Sequence, residues 1–212
     1  MGKTLVACAL LEAFRSAGKS AVGMKPVAAG REGAHWADVE ALCGSSNVRA
    51  PAASVNPYAF DPAVAPHIAA ERAGTQIDLQ KIRSAFAELS ALADVVIIEG
   101  AGGFLVPLNP RETTADLARS LGAPVVMVVG MRLGCLNHAL LTHAAVLAAG
   151  VPCVGWVANC IVEHMSERPG NVRALAERLD CPLLGEIPYM AQLSARNAAR
   201  FLDLHKLAVA HG

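Results

Sequence analysis

The chain has 212 residues, enough for one sizeable hydrophobic core, so its length predicts a single domain over 1–212. Its 18 Lys and Arg residues balance 18 Asp and Glu residues, which gives a formal net charge of zero. Because a neutral surface attracts no polyanion, nucleic acid and anionic membrane are not expected as partners. Any anionic ligand must therefore be bound by a local arrangement of donors and cations, since the overall charge does not attract it.

Six cysteines are spread along the chain without a C-x-x-C pair, and most lie among apolar residues. This pattern is typical of reduced, buried thiols in a cytoplasmic protein. The most apolar long stretch, 139–158, is divided by His143 and by the break at 150–152, which indicates a helix followed by a strand and not a membrane span. No signal-peptide pattern is visible, so we expect a soluble cytoplasmic protein.

Apolar periodicity predicts alternating helices and strands. The predicted helices cover 5–17, 36–43, 137–149 and 171–179, and the predicted strands cover 21–27, 94–100, 123–130, 151–159 and 182–188. This alternation predicts an α/β fold, a doubly wound and mostly parallel sheet with helices on both faces. The runs 94–100 and 123–130 are continuously apolar, which favours strands buried on both faces. The turn-rich segment 30–66 is interpreted as an active-site excursion, with a surface insertion as the alternative.

The tripeptide Gly2, Lys3 and Thr4 stands immediately before the first predicted helix. In a phosphate-binding loop, the N–H groups of a helix N-terminus and a lysine bind the phosphates, while a hydroxyl binds Mg²⁺. The full pattern G-x-x-x-x-G-K-[ST] needs a glycine five residues before Gly2, so only its last part is present. A chance occurrence of the tripeptide is the alternative.

Two further charged residues stand at predicted strand ends. Glu99 ends an apolar run and is followed by a glycine-rich turn at 100–103, so it could hold Mg²⁺ against phosphates or could be merely solvated. Lys25 is costly to bury without an anionic partner, and the alternative is a side chain that reaches out to solvent. Asp38, from the middle segment, could add a second carboxylate or could be an ordinary surface residue.

A helix also opens after Gly134, where free N–H groups at 134–137 suit a carboxylate or phosphate. The alternative is an ordinary turn capped by Asn137. His138 and His143 are five residues apart and therefore do not share a helix face, so we expect no zinc site from this pair.

Seven segments in this order resemble the dethiobiotin synthetases, the ATP-dependent ring-closing ligases of biotin synthesis. The resemblance covers residues 1 to about 190 and rests on "GKTLVACALL", "MKPVAAG", "VNPYAF" with "APHIAA", "VIIEGAGGFLVPL", "VVMVVGMRLGCLNHALLT", "GWVAN" and "PLLGEIPY". It implies a P-loop NTPase-like fold and a homodimer that uses 7,8-diaminononanoate, CO₂ or bicarbonate, and ATP with Mg²⁺. One amine takes up CO₂ as a carbamate, the carbamate attacks the γ-phosphate, and the other amine closes the ring and expels phosphate.

The resemblance also implies residue roles. Lys3 and Lys25 are the implied catalytic residues, Thr4, Asp38 and Glu99 the Mg²⁺ ligands. The nucleotide would contact Gly2, Lys3, Thr4, Asp38, Glu99, Gly100, Ala101, Gly102 and Cys160, with adenine held by Asn159, Pro188, Tyr189 and Met190. The diamine substrate would contact Lys25, Ala29, Gly103, Gly134, Cys135 and Asn137, with help from the partner subunit.

The chain departs from the family pattern in three places. Ala29 stands where the family commonly has Ser, and Arg132 where Lys is common. The family's first strand and the Gly- and Thr-rich loop before Gly2 do not precede Met1, which suggests a start codon read too late. Three alternatives to an active ligase stay open: a truncated inactive homologue acting as a structural dimer, a nucleotide-switched ATPase of the partitioning and cell-division type, and an ATP-dependent amidotransferase domain.

Overall fold

Helices and strands alternate along the chain in a computed structural model that describes residues 1–31, 33, 35–190 and 194–208. The strands are β1 (Ala21–Met24), β2 (Val27–Ala29), β3 (Tyr58–Phe60), β4 (Val95–Ile98), β5 (Val125–Met131), β6 (Cys153–Cys160) and β7 (Leu183–Ile187). The helices are α1 (Lys3–Ser16), α2 (Ala37–Ser45), α3 (Ala52–Val55), α4 (Pro66–Arg72), α5 (Leu79–Leu92), α6 (Thr114–Leu121), α7 (Cys135–Ala148), α8 (Arg168–Ala176), α9 (Ala195–Ala199) and α10 (His205–Ala208).

All pairings between these strands are parallel. β1 pairs with β4, β2 pairs with β3, and β5, β6 and β7 form a three-stranded group in that order. Parallel neighbours require crossover connections, and helices supply them between most of the strands. The predicted α/β class with a parallel sheet is confirmed.

The sheet is interrupted between β4 and β5. In the described part of the chain, β4 is paired only with β1, and β5 only with β6. Ile97 of β4 and Val128 of β5 pack against one apolar cluster that includes residues of α1. All four β4 residues are only half-buried. The expectation that 94–100 forms a strand buried on both faces is therefore wrong for β4, because an unpaired edge leaves the strand accessible.

Helix α1 carries apolar residues on two faces. Val6 and Leu10 lie in a cluster with residues of β6 and β7, whereas Leu11 lies in a cluster with Ala21 and Leu42. The helix begins at Lys3, two residues earlier than predicted, so the lysine and threonine of the Gly-Lys-Thr tripeptide belong to its first turn. Helix α1 thereby joins the two interrupted parts of the sheet.

The segment 30–66 contains α3 and β3 in addition to the helix predicted there. Elements of three and four residues are too short to show a hydrophobic period, and β3 is held by its pairing with β2. Helices α4, α5 and α6 also had no assignment from the sequence. The stretch 139–158 forms parts of α7 and β6, as predicted, and no helix in the described ranges is long and apolar enough to cross a membrane.

Candidate nucleotide and substrate site

Lys25 and Glu99 meet because of the register between β1 and β4. Met24 pairs with Ile98, so the residues that follow them stand side by side at the carboxyl ends of two parallel strands. The Glu99 N–H donates to the Met24 carbonyl at 2.8 Å, and Lys25 Nζ lies 3.0 Å from Glu99 Oε1. Both side chains are buried. Ligands of open parallel sheets bind at this edge.

Asp38 lies in the first turn of α2 and forms a second ion pair with Lys25. Its Oδ2 lies 2.7 Å from Lys25 Nζ, and its side chain stays partly exposed. A buried ammonium is tolerated when carboxylates surround it. The alternative in which Lys25 reaches out to solvent is therefore wrong, since the residue is only 5% exposed.

Glu99 also links this ion pair to α1. The Thr4 hydroxyl donates to Glu99 Oε1 at 2.9 Å. The second carboxylate oxygen, Oε2, is buried and has no hydrogen-bond partner among the described residues. A buried carboxylate oxygen without a partner beside a hydroxyl and a second carboxylate is a donor set of the kind that Mg²⁺ prefers. The residues present therefore fit this ion.

The start of α1 is anchored to the carboxyl end of β6. Gly2 has φ of 78°, and a Cβ at this position would come 2.2 Å from Asn159 Nδ2, so the close approach requires glycine. The Asn159 amide donates to the Met1 carbonyl at 2.9 Å. Asn159, proposed above to hold adenine, here fixes the N-terminus of α1.

Lys3 lies at this N-terminus, in the first turn of α1. Among the described residues it forms no ion pair within 4.0 Å, whereas Lys25 is paired twice. Burial lowers the pKa of Lys3 below its ordinary value, and Lys25 lowers it further, while Glu99 and Asp38 act in the opposite direction. A half-buried lysine of this kind beside the free N–H groups of a helix start is suited to bind a phosphate.

The glycine-rich turn at 100–103 follows Glu99 and is held in place by Thr114. Gly102 has φ of 68°, which favours glycine. The Thr114 hydroxyl lies 2.9 Å from the Gly103 carbonyl oxygen and 2.5 Å from that of Phe104. Sequence reasoning missed Thr114, although the capping box of Thr113 and Asp116 marks the start of α6 beside it.

A cavity of about 290 Å³ connects this turn to the start of α7 and runs between β4 and β5. Lys3, the turn 100–103, Arg132 and Cys135 contribute to its lining. Gly134, which directly precedes Cys135, has φ of 88° and, like Asn137, is exposed. The predicted phosphate and carboxylate ends of the site therefore share one continuous space.

The remaining predicted residues lie apart from the charged cluster. Cys160 ends β6 and contacts Arg168 and Glu186, and Ala29 ends β2 opposite Phe60. The segment 188–190 follows β7 with Tyr189 and Met190 exposed, and the next three residues lie outside the described ranges. The adenine-binding roles of Asn159, Pro188, Tyr189 and Met190, the nucleotide contact of Cys160 and the substrate role of Ala29 stay predictions.

A helix that starts at Gly-Lys-Thr, an acidic residue at a neighbouring strand end and a glycine turn define a P-loop-type nucleotide-binding α/β protein. The likeness to solved structures agrees with this class. MinD, a cell division protein of Aquifex aeolicus, superposes with a TM-score of 0.58 over 96% of this chain and 83% of that chain, at 17% identity. Such a distant likeness establishes the fold alone.

The particular family follows from closer relatives. A family model described as an AAA domain matches residues 1–197. The ATP-dependent dethiobiotin synthetase BioD of Nitrosospira multiformis is 55% identical over 209 residues, which cover 99% of this chain and 92% of that protein. The synthetase of the same name from Aromatoleum aromaticum is 51% identical over 96% of this chain and 92% of that protein. The chain belongs to the ATP-dependent dethiobiotin synthetase family.

Proposed function

We propose that the chain is an ATP-dependent ligase that joins CO₂ to 7,8-diaminononanoate and closes the ureido ring of dethiobiotin. The observation that carries this proposal is the continuous network from Thr4 through Glu99 and Lys25 to Asp38, beside the uncompensated Lys3. This arrangement presents three oxygen donors and two cations at one helix N-terminus. Family membership names the reaction, and the network supplies the charges that it needs.

The reaction consists of three nucleophilic steps. One amine of the diamine adds to CO₂ and loses a proton, which forms a carbamate. A carbamate oxygen attacks the γ-phosphorus of ATP and ADP leaves. The second amine then attacks the carbamate carbon, phosphate leaves, and a proton is lost from the nitrogen. Positioning and charge neutralisation supply most of the acceleration in such a sequence.

Each residue of the network has a separate task in this scheme. Lys3 and the first N–H groups of α1 bind the phosphates, and Lys25 donates to the carbamate and to the transferring phosphoryl oxygens. The turn 100–103 lets backbone approach the reacting groups closely. Thr4, Asp38 and Glu99 would hold Mg²⁺, which when bound offsets the negative charge of the phosphates.

The experiment is an assay of phosphate release from MgATP with bicarbonate, with and without 7,8-diaminononanoate. We expect release only with the diamine. Lys25→Met should lower kcat by about a thousandfold because it removes a charge that acts on the transferring group. Lys19→Met is the matched control, since Lys19 is exposed. If Lys25→Met does not fold, Asp38→Asn tests the network from its partly exposed side.

Two results would overturn the proposal. Phosphate release that does not require the diamine would indicate a nucleotide-switched ATPase. Equal activity of Lys25→Met and the wild-type enzyme would remove Lys25 from the reaction. Dethiobiotin should also be identified directly as the product by mass spectrometry.

We also propose a homodimer formed through the exposed side of α7. Leu133, which precedes α7, is 97% exposed, and Leu141, within α7, is 62% exposed. Large apolar side chains exposed together are typical of interfaces. Leu141→Asp should yield a monomer in sedimentation velocity, whereas the control Leu92→Asp on α5 should not. A dimer retained in Leu141→Asp would exclude this face.

A cytoplasmic location stays a prediction.

A further inference from the structure

His143, Cys153 and Cys181 converge from three elements at the end of the sheet opposite the nucleotide site. His143 lies on α7, Cys153 is the first residue of β6, and Cys181 shortly precedes β7. Their ligand atoms all lie within 4.8 Å of one another, and the two sulfurs are 3.3 Å apart. The proposed reaction uses none of these side chains.

The imidazole of His143 is the observation that points to a ligand at this cluster. His143 is only 5% exposed, and its Nε2 has no hydrogen-bond partner in the described part of the chain. Leaving a buried polar nitrogen without a hydrogen-bond partner is unfavourable, because its desolvation is not offset. Coordination of a metal ion by Nε2 would remove that cost.

The donor set selects the type of metal. Two thiolates and a neutral imidazole are soft to intermediate ligands, which favour Zn²⁺ and Cu⁺ over Mg²⁺ and Ca²⁺. Two thiolates also balance the charge of a divalent ion, so a buried site of this composition would be neutral. We infer that His143, Cys153 and Cys181 form a structural Zn²⁺ site, separate from the nucleotide site.

The geometry requires only a small adjustment of side chains. Zn–S distances of about 2.3 Å and Zn–N distances of about 2.0 Å place tetrahedral ligand atoms roughly 3.5–3.8 Å from one another. The present separations, up to 4.8 Å, lie within about 1 Å of these values. Three protein ligands leave the fourth position to a water molecule.

Binding releases both thiol protons, because the thiolate is the ligand: Zn²⁺ and two thiols give one neutral zinc dithiolate and two protons. The ion would connect α7 to β6 and to the segment that leads into β7. It would therefore stabilise the fold without entering the reaction.

The inference is tested by metal titration of the full chain in a non-thiol reductant, after removal of metal with a chelator. Excess Mg²⁺ keeps the nucleotide site occupied. We expect one Zn²⁺ per chain by calorimetry, a thiolate-to-metal absorption band with Co²⁺, and a Tm that rises with Zn²⁺. Cys153→Ser and Cys181→Ser should each weaken Zn²⁺ binding by more than the 10- to 100-fold that loss of an outer-shell partner costs. Cys43→Ser, at an exposed cysteine, is the matched control.

Three outcomes would overturn the inference. The first is a Co²⁺ spectrum of the wild-type protein without the thiolate band. The second is Zn²⁺ affinity that is the same in Cys181→Ser and Cys43→Ser. The third is a Cys153–Cys181 disulfide that persists in the reductant, seen as a mass two hydrogens lower, because it would leave no thiolate for a metal. None of these readouts depends on ligase activity, so failure here leaves the proposed reaction unaffected.

Discussion

β4 and β6 are both apolar parallel strands, yet they differ in burial. β6 pairs with β5 on one edge and β7 on the other, and every residue after its first is buried. β4 pairs with β1 alone among the described strands, and all four of its residues are half-buried. A run of valine and isoleucine therefore becomes core only where neighbouring strands cover both of its edges.

This difference places the interruption of the sheet next to the proposed reaction site. Glu99 follows β4 directly, and the cavity between β4 and β5 is continuous with Lys3 and the turn 100–103. Met1 lies against Gly130 at the carboxyl end of β5, so a chain segment placed before it could enter the gap from that end.

The largest expected effect comes from filling the gap. An extension before Met1, with about five apolar β-branched residues followed by a Gly- and Thr-rich loop, should pair with both free edges. Burying about three of its side chains at about 1.5–3 kcal/mol each should raise the free energy of unfolding by roughly 5 to 9 kcal/mol. Urea denaturation measures this change.

The control for this prediction is an extension of equal length in which Ser, Gly and Asp replace the apolar residues. If both extensions stabilise the protein equally, strand addition is not the cause. We also expect only the apolar extension to tighten ATP binding in calorimetry, since its loop adds N–H donors near the phosphates.

A smaller change in the free energy of unfolding is expected when the same substitution is made in each of the two strands. Val157 of β6 is fully buried, and Val96 of β4 is half-buried. Val157→Ala should lower the free energy of unfolding by about 2–3 kcal/mol, and Val96→Ala by about half of that. Urea denaturation of both variants tests the comparison. Equal losses would mean that the free edge of β4 is covered in solution.

The smallest effect concerns pH. Because burial lowers the pKa of Lys3, the folded state binds fewer protons than the unfolded state between that lowered pKa and the ordinary value of 10.5. The free energy of unfolding of the wild-type protein should therefore rise with pH through this window, relative to that of a variant that lacks the amine. Lys3→Met should be more stable than wild type at neutral pH, and the difference should shrink toward pH 10.5. A constant difference from neutral pH upward would contradict this sign.

Much of the nucleotide site could be predicted because its parts lie at strand and helix ends that the hydrophobic pattern marks. Gly2, Lys3 and Thr4 precede a periodic apolar segment, and Glu99 ends a continuous one. The pairing of Lys25 with both Asp38 and Glu99 could not be derived in this way. It depends on the register of β1 against β4 and on where the middle segment returns α2 to the sheet.

The cluster of His143, Cys153 and Cys181 shows even more clearly that contacts between distant residues cannot be predicted from local sequence patterns. The spacing between His138 and His143 argued against a pair on one helix face, but spacing cannot detect partners far along the chain. Cys153 and Cys181 are brought to His143 by the pairing of β6 with β7 and by the packing of α7 beside β6. A lone cysteine in an apolar segment has no local signal for such a partner.

The sequence by itself determined the alternation of helices and strands, the family, and the residue types that could carry the chemistry, because these depend on local periodicity and on motifs in a fixed order. Only the tertiary structure decided which charges are paired, which lysine stays uncompensated, and which strand edges are covered. These properties depend on contacts between residues that are distant in the chain, such as Lys25 with Glu99 and Thr4 with Glu99.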